Sequence, residues 1–239
     1  MTTLAKIIVT FFLTLLCCSC NLAFNGIKGK GEVVKKERTI SQKFDAVKAS
    51  KGLDVVLVNS SDKKIIVNAN KNLHDHIQVY VEGATLYVTS DDNIFSADEK
   101  SVFVSYDKLQ KISVNSGASI SSNEVMVQKD LDFSATSGAD IKLNIKAETV
   151  TTSVTSGAMI KITGKVNKHN ASATSGADIR AEELLSLVSE AKATSGASIR
   201  IYAKNEFAGT ATSGADIVYY GDPKKVSEAD NSGGNVKKH

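Results

Sequence analysis

Four cations recur at matched intervals, Lys142, Lys161, Arg180 and Arg200, each four residues after the glycine of a repeated hexapeptide. Cations repeated along one surface attract anions, so this series is the first candidate for chemistry: a basic strip for an acidic glycan, a phosphate or a lipid headgroup. Two residues nearer the glycine stand Ser119, Asp140, Met159, Asp178, Ser198, Asp216 and Asn235. Residues two apart on a strand share a face, so each Asp would partly neutralise a neighbouring cation. A solvated, self-compensating face is therefore the competing reading. Acids occupy only alternate repeats, roughly 10 Å apart in a stack, which does not converge oxygen ligands as a calcium site must.

Other chemistry-bearing residues are sparse. His74 and His76 offer two metal-type nitrogens without an evident third ligand, and His169 reads as a packing residue in a partly apolar column. No GxSxG nucleophile elbow, phosphate loop, dinucleotide fingerprint or HExxH pair is present. Clustered carboxylates in a groove, which polysaccharide cleavage requires, are not apparent either. The expectation is no catalytic residue, no metal site and no cofactor. The formal net charge of +3 is too small for a nucleic-acid footprint, and no basic motif interleaved with aromatics appears.

All three cysteines, Cys17, Cys18 and Cys20, follow a ten-residue apolar stretch over 7–16. That stretch is too short to span a bilayer as a helix and suits the core of a secretory signal. The segment 16–20 resembles a bacterial lipoprotein cleavage site, with Cys20 as the acyl acceptor and Cys18 as a rival. The expected organisation is a lipoprotein signal over 1–19 and a polar tether over 20–28. Acyl chains would anchor the protein to a membrane without spanning it.

The elements that must position these residues come from a repeat. NSGASI at 115–120 is followed by TSGADI, TSGAMI, TSGADI, TSGASI, TSGADI and NSGGNV. Their glycines are Gly117, Gly138, Gly157, Gly176, Gly196, Gly214 and Gly233, in steps of 21, 19, 19, 20, 18 and 19 residues. A period of this length marks one structural unit stacked on copies of itself. Three after each glycine runs Ile120, Ile141, Ile160, Ile179, Ile199, Ile217 and Val236, an unbroken aliphatic file that must be core. Three before runs Val114, Ala135, Val154, Ala173, Ala193 and Ala211, and the alternation around both files has the period of a strand. Ser-Gly-Ala then reads as a corner, with glycine supplying positive φ while Ser and Ala are small enough to sit inside it. A Thr file, Thr136, Thr155, Thr174, Thr194 and Thr212, fits exposed strand positions or a flat contact surface. The predicted fold is all-β, a single-stranded parallel β-solenoid with coils of about 19 residues. Regular repeats are expected over 113–236, with a polar tail at 237–239.

Residues 29–112 lack the strict period but carry strand patterns and turn signals, and are expected to cap the stack. The stretch around Gly52, KASKGLDVVL, looks like a degenerate corner. A short helix or a distorted coil is expected within 184–188. The opening GKGEVVKKERTISQKFDAVKASKGLDVVLV, the middle VNANKNLHDHIQVYVEGATLYV, the serial SGADI units and the closing YYGDPKKV with NSGGNV together resemble the head GIN domain, DUF2807, a family named for auto-transporter adhesins. The resemblance spans about 29–236. It implies a right-handed β-helix of the pectin-lyase kind and a role in adhesion, and it carries over no catalytic residues; Met159 departs from the family's usual polar occupant.

The expected function is a non-enzymatic binding module of the cell envelope, exported and lipid-anchored, with the outer membrane as its expected site. It would contact an envelope or host glycan, a headgroup or a protein through flat faces. A polysaccharide-processing enzyme and a purely structural spacer are the alternatives. The oligomeric state is left open by the sequence.

Overall fold

The computed structural model describes residues 26–62 and 64–239. The expected signal segment and Cys20 lie outside the described residues. Ile27–Lys28, at the end of the expected tether, already pairs in parallel with Ile94–Ser96.

The repeat folds as a stack of parallel strands. Ile112, Phe133 and Thr152 are successive partners across three coils, and Ile120, Ile141, Ile160, Ile179, Ile199, Ile217 and Val236 form one file in register. All of the isoleucines in that file are essentially inaccessible to solvent, as are the alanines and valines of the file before the corner. Parallel pairing puts like on like at about 4.8 Å, so one aliphatic choice, repeated, fills a thin interior without large side chains. Among the described residues the one helical element is a 3-10 turn, Lys71–Asp75.

Every corner but the one at Gly138 is a tight turn closed by a hydrogen bond between its first and fourth residues. The Ala177 amide donates to the Thr174 carbonyl at 3.3 Å, and the same bond closes the corners at Ala118, Ala158, Ala197 and Ala215. Both central residues are left-handed: the serines lie at φ of 51–56° and the following glycines at 67–75°. Two successive positive φ values are the requirement of a type I′ turn. The serines do not sit inside the corner as expected; they are exposed, and only the alanine turns inward. A Cβ added to Gly176 would meet nothing within 4 Å, so glycine is demanded there by its φ of 68° and not by space. Coils are also linked at the corners: the Gly117, Gly138, Gly157, Gly176 and Gly196 amides each donate to the serine carbonyl of the next corner at 3.1–3.2 Å.

The degenerate corner at Gly52 belongs to this ladder, since its amide donates to the Ser116 carbonyl at 3.0 Å and Lys51 is left-handed at φ 60°. Its flanking strands, Ala46–Ala49 and Asp54–Asn59, lie mid-stack. On one side they meet Lys111–Val114 and Ser119–Val127; on the other they meet Thr85–Ser90 and Lys100–Tyr106. Beyond that, direction reverses: Lys64–Asn70 and Ile77–Glu82 pair antiparallel, and Val33–Thr39 runs antiparallel along the outermost edge. Two lysines and a glutamate of that edge, Lys35, Lys36 and Glu37, face solvent, which blunts it against further pairing.

The segment expected to be a short helix or a distorted coil is instead part of the strand Leu184–Thr194. Gly164 pairs with Leu184, and the turn at Glu182 and Glu183 absorbs the extra residue of this 20-residue step. The last coil breaks the interior pattern. Glu228 continues the file Phe133, Thr152, Ala171, Ala191, Gly209, and Asp230 continues Ala135, Val154, Ala173, Ala193, Ala211. Every residue of Lys225–Asn231 is exposed. Carboxylates at core positions close this end of the stack electrostatically.

Candidate anion-binding face

The strand that follows each corner alternates inward aliphatic and outward polar residues. In Asp140–Thr155 the first outward positions are Asp140, Lys142, Asn144 and Lys146. Parallel register aligns Lys142 with Lys161, Lys161 with Arg180 and Arg180 with Arg200, so the four sequence-predicted cations form one continuous file. Ser121 and Val218 flank it.

The two halves of the file differ electrostatically. Arg180 Nε donates to Asp178 Oδ2 at 2.7 Å, and Arg200 lies 3.8 Å from the same oxygen and 3.9 Å from Glu182. The hydrogen bond to Asp178 raises the Arg180 pKa, fixing that charge in a local pair. Lys142 and Lys161 make no ion pair among the described residues. The carboxylates thus form ion pairs with the arginine half only: Met159 stands where the coil of Lys161 would carry an acid, and Asp140, two residues before Lys142 on the same face, makes no ion pair with it.

The structure adds two cations that the column count missed. Lys146 pairs with Lys165 one coil on, both exposed, on the same strands and the same side as Lys142 and Lys161. Even spacing from 142 to 146 along one strand was the available signal. These lysines border a shallow trough of about 420 Å³ whose walls include Lys165, Leu185, Leu187, Tyr202 and Lys204. The arrangement can hold anionic groups at several points on a flat surface. It does not bring a nucleophile to a base.

The histidines do not converge. His74 is buried, with Nε2 3.0 Å from the Val34 carbonyl, and burial lowers its pKa. His76 is at the surface, 3.0 Å from Asp91. His169 lies fully inside the stack against Thr152 Oγ1 at 3.0 Å, and burial pushes its pKa down to about 3. Among the described residues no group of three or more His, Cys, Asp or Glu is placed to hold a metal ion. The corner glycines form a file on one exposed edge and touch none of the cations' ion pairs. No helix among the described residues is long and apolar enough to cross a membrane.

Among solved structures, a "putative adhesin" from Bacteroides fragilis superposes with a TM-score of 0.83 at 16% identity, over 90% of this chain and 100% of that one. A "putative lipid binding protein" from Parabacteroides distasonis gives 0.74 at 17% identity, over 89% and 99%. A "putative adhesin" from Parabacteroides merdae gives 0.73 at 18% identity, over 89% and 98%. No curated protein matches the sequence. The family model described as "Putative auto-transporter adhesin, head GIN domain" matches residues 43–223, and the chain belongs to that DUF2807 family.

Proposed function

We propose that the protein is a non-enzymatic, exported binding module of the cell envelope, held to a membrane by acylation at Cys20, which captures anionic groups on its basic face. The observation that carries this reading is the in-register file from Lys142 to Arg200, in which the lysine half makes no ion pair although Asp140 shares its face. Like charges stacked at about 4.8 Å repel one another, and a bound polyanion relieves that repulsion. The names of the solved relatives, adhesins and a lipid-binding protein, fit a surface-binding role for this chain.

The test is binding to polygalacturonate as a soluble polyanion and to anionic vesicles, at low and high salt. Lys142→Glu/Lys161→Glu should weaken both by about tenfold or more, with the wild-type signal fading as salt shortens the screening length to a few ångströms. Arg180→Glu/Arg200→Glu should cost less, because Asp178 and Glu182 already compensate that half. Undiminished binding by the lysine double variant would remove the face from consideration. Labelled palmitate should enter the wild-type chain and not Cys20→Ala; a labelled Cys20→Ala chain would refute that acceptor.

A further inference from the structure

We infer that the basic face docks on the surface of an anionic lipid bilayer, with exposed aliphatic side chains on either side of the lysine pair entering the headgroup layer. The inference rests on the anion-binding reading above and specifies its partner. Its basis is a second file on the same face. Val127 pairs with Lys146, Lys146 with Lys165 and Lys165 with Leu185, so two lysines are bracketed along the stack by two aliphatics. Val125 lies two residues before Val127 on the same side, and Leu187 two residues after Leu185.

These four are the anomaly. Val125 is 46% exposed, Val127 59%, Leu185 45% and Leu187 39%, in a chain whose other isoleucines, leucines and valines are mostly sealed in the stack. They are four of the eight large apolar residues left exposed among the described residues, which are otherwise Val33, Tyr80, Phe95 and Val226. Apolar side chains gathered at one place on a polar surface mark a contact. A soluble polyanion would satisfy Lys146 and Lys165 and leave the leucines in water. A bilayer of anionic lipids satisfies both: ammonium groups meet phosphates, and Leu and Val reach the boundary of the acyl chains. Tyr202, on the wall of the trough, has the amphipathic character of an interfacial residue. Charge complementarity and the bracketing of a lysine pair by aliphatics in one file select the bilayer over a folded protein partner.

The experiment uses residues 26–239, which contain every strand pairing among the described residues, with folding checked by circular dichroism. Binding is measured to vesicles of phosphatidylglycerol with phosphatidylcholine, to phosphatidylcholine alone and to polygalacturonate. Wild type should prefer the anionic vesicles by about tenfold or more, as expected when charge and apolar insertion act together. Leu185→Ser/Leu187→Ser should lose about fivefold or more on those vesicles and stay within about twofold on polygalacturonate, since each exposed leucine contributes only its partial burial. The chain has no Trp, so Leu187→Trp gives a clean probe whose emission should shift to the blue on anionic vesicles. Unchanged vesicle binding by the Leu variant, or binding to polygalacturonate without binding to vesicles, would overturn the bilayer inference and leave the anion-binding reading intact. Failure to bind either probe at low salt would overturn both.

Discussion

The least ordinary residues of this protein are the corner serines, which hold a left-handed backbone without being glycine. Ser175 at φ 56° is representative, and its side chain is in solvent. Asparagine tolerates that region better than serine and leads naturally into the following glycine, so Ser175→Asn should raise stability by about 0.5 kcal/mol. Ser175→Val should lower it by about 1–2 kcal/mol, as expected for a β-branched residue forced to positive φ. Gly176→Ala should cost about 1 kcal/mol although the space is open, because its φ is 68°. Denaturant midpoints order the three variants. That the glycines are needed for positive φ was legible from TSGA alone; that serine shares the burden was not, since serine's small size suggested a packing role.

His169 supplies a pH dependence. Folded, it stays neutral down to about 3, against its ordinary 6.5. Below 6.5 the unfolded chain takes up a proton that the folded one does not, so this stability is fully present above that pH and is lost as pH falls toward 3. The limiting slope for one such group is about 1.4 kcal/mol per pH unit. His169→Val, matching its neighbour Val150 in the file, should flatten the acid limb of a melting-temperature profile. It should also cost about 1–2 kcal/mol at pH 7 by stranding the Thr152 hydroxyl. An unchanged acid limb would show that His169 is not the group responsible.

At the scale of elements, parallel register converts sequence offsets into files, and legibility follows from it. The cations four after glycine were readable because nothing is inserted between corner and file. Leu185 was not, because it lies nine residues after Gly176 while Lys165 lies eight after Gly157, the turn at Glu182 and Glu183 having taken up one residue. The same bookkeeping hid the reversed strands near the beginning, where Lys64–Asn70 and Ile77–Glu82 run against the stack without any repeat to reveal it. The last coil, by contrast, carries its signal in register. Restoring the small apolar occupants with Glu228→Ala/Asp230→Ala should uncover an unpaired edge and produce concentration-dependent association beyond that of the wild type. Light scattering over a dilution series reads this, and a variant that elutes like wild type at every concentration would show that the two carboxylates are not what closes the end.

For the whole molecule, the hydrogen bonds that join coils, from strand to strand and from Gly amide to Ser carbonyl at each corner, run along the axis of the rod. A tether at the beginning of the chain and an attachment at its far end would pull parallel to those bonds and strain them a coil at a time. The rod should therefore yield by peeling, beginning with the exposed terminal coil, at low and nearly equal tensions. Each rupture should release about 65 Å of chain, the extended length of one repeat at about 3.4 Å per residue. Single-molecule extension would record a staircase of such steps; a single abrupt loss of the whole stack would contradict it. Mechanically the protein is a graded brake, giving way coil by coil under tension that would snap a one-step fold.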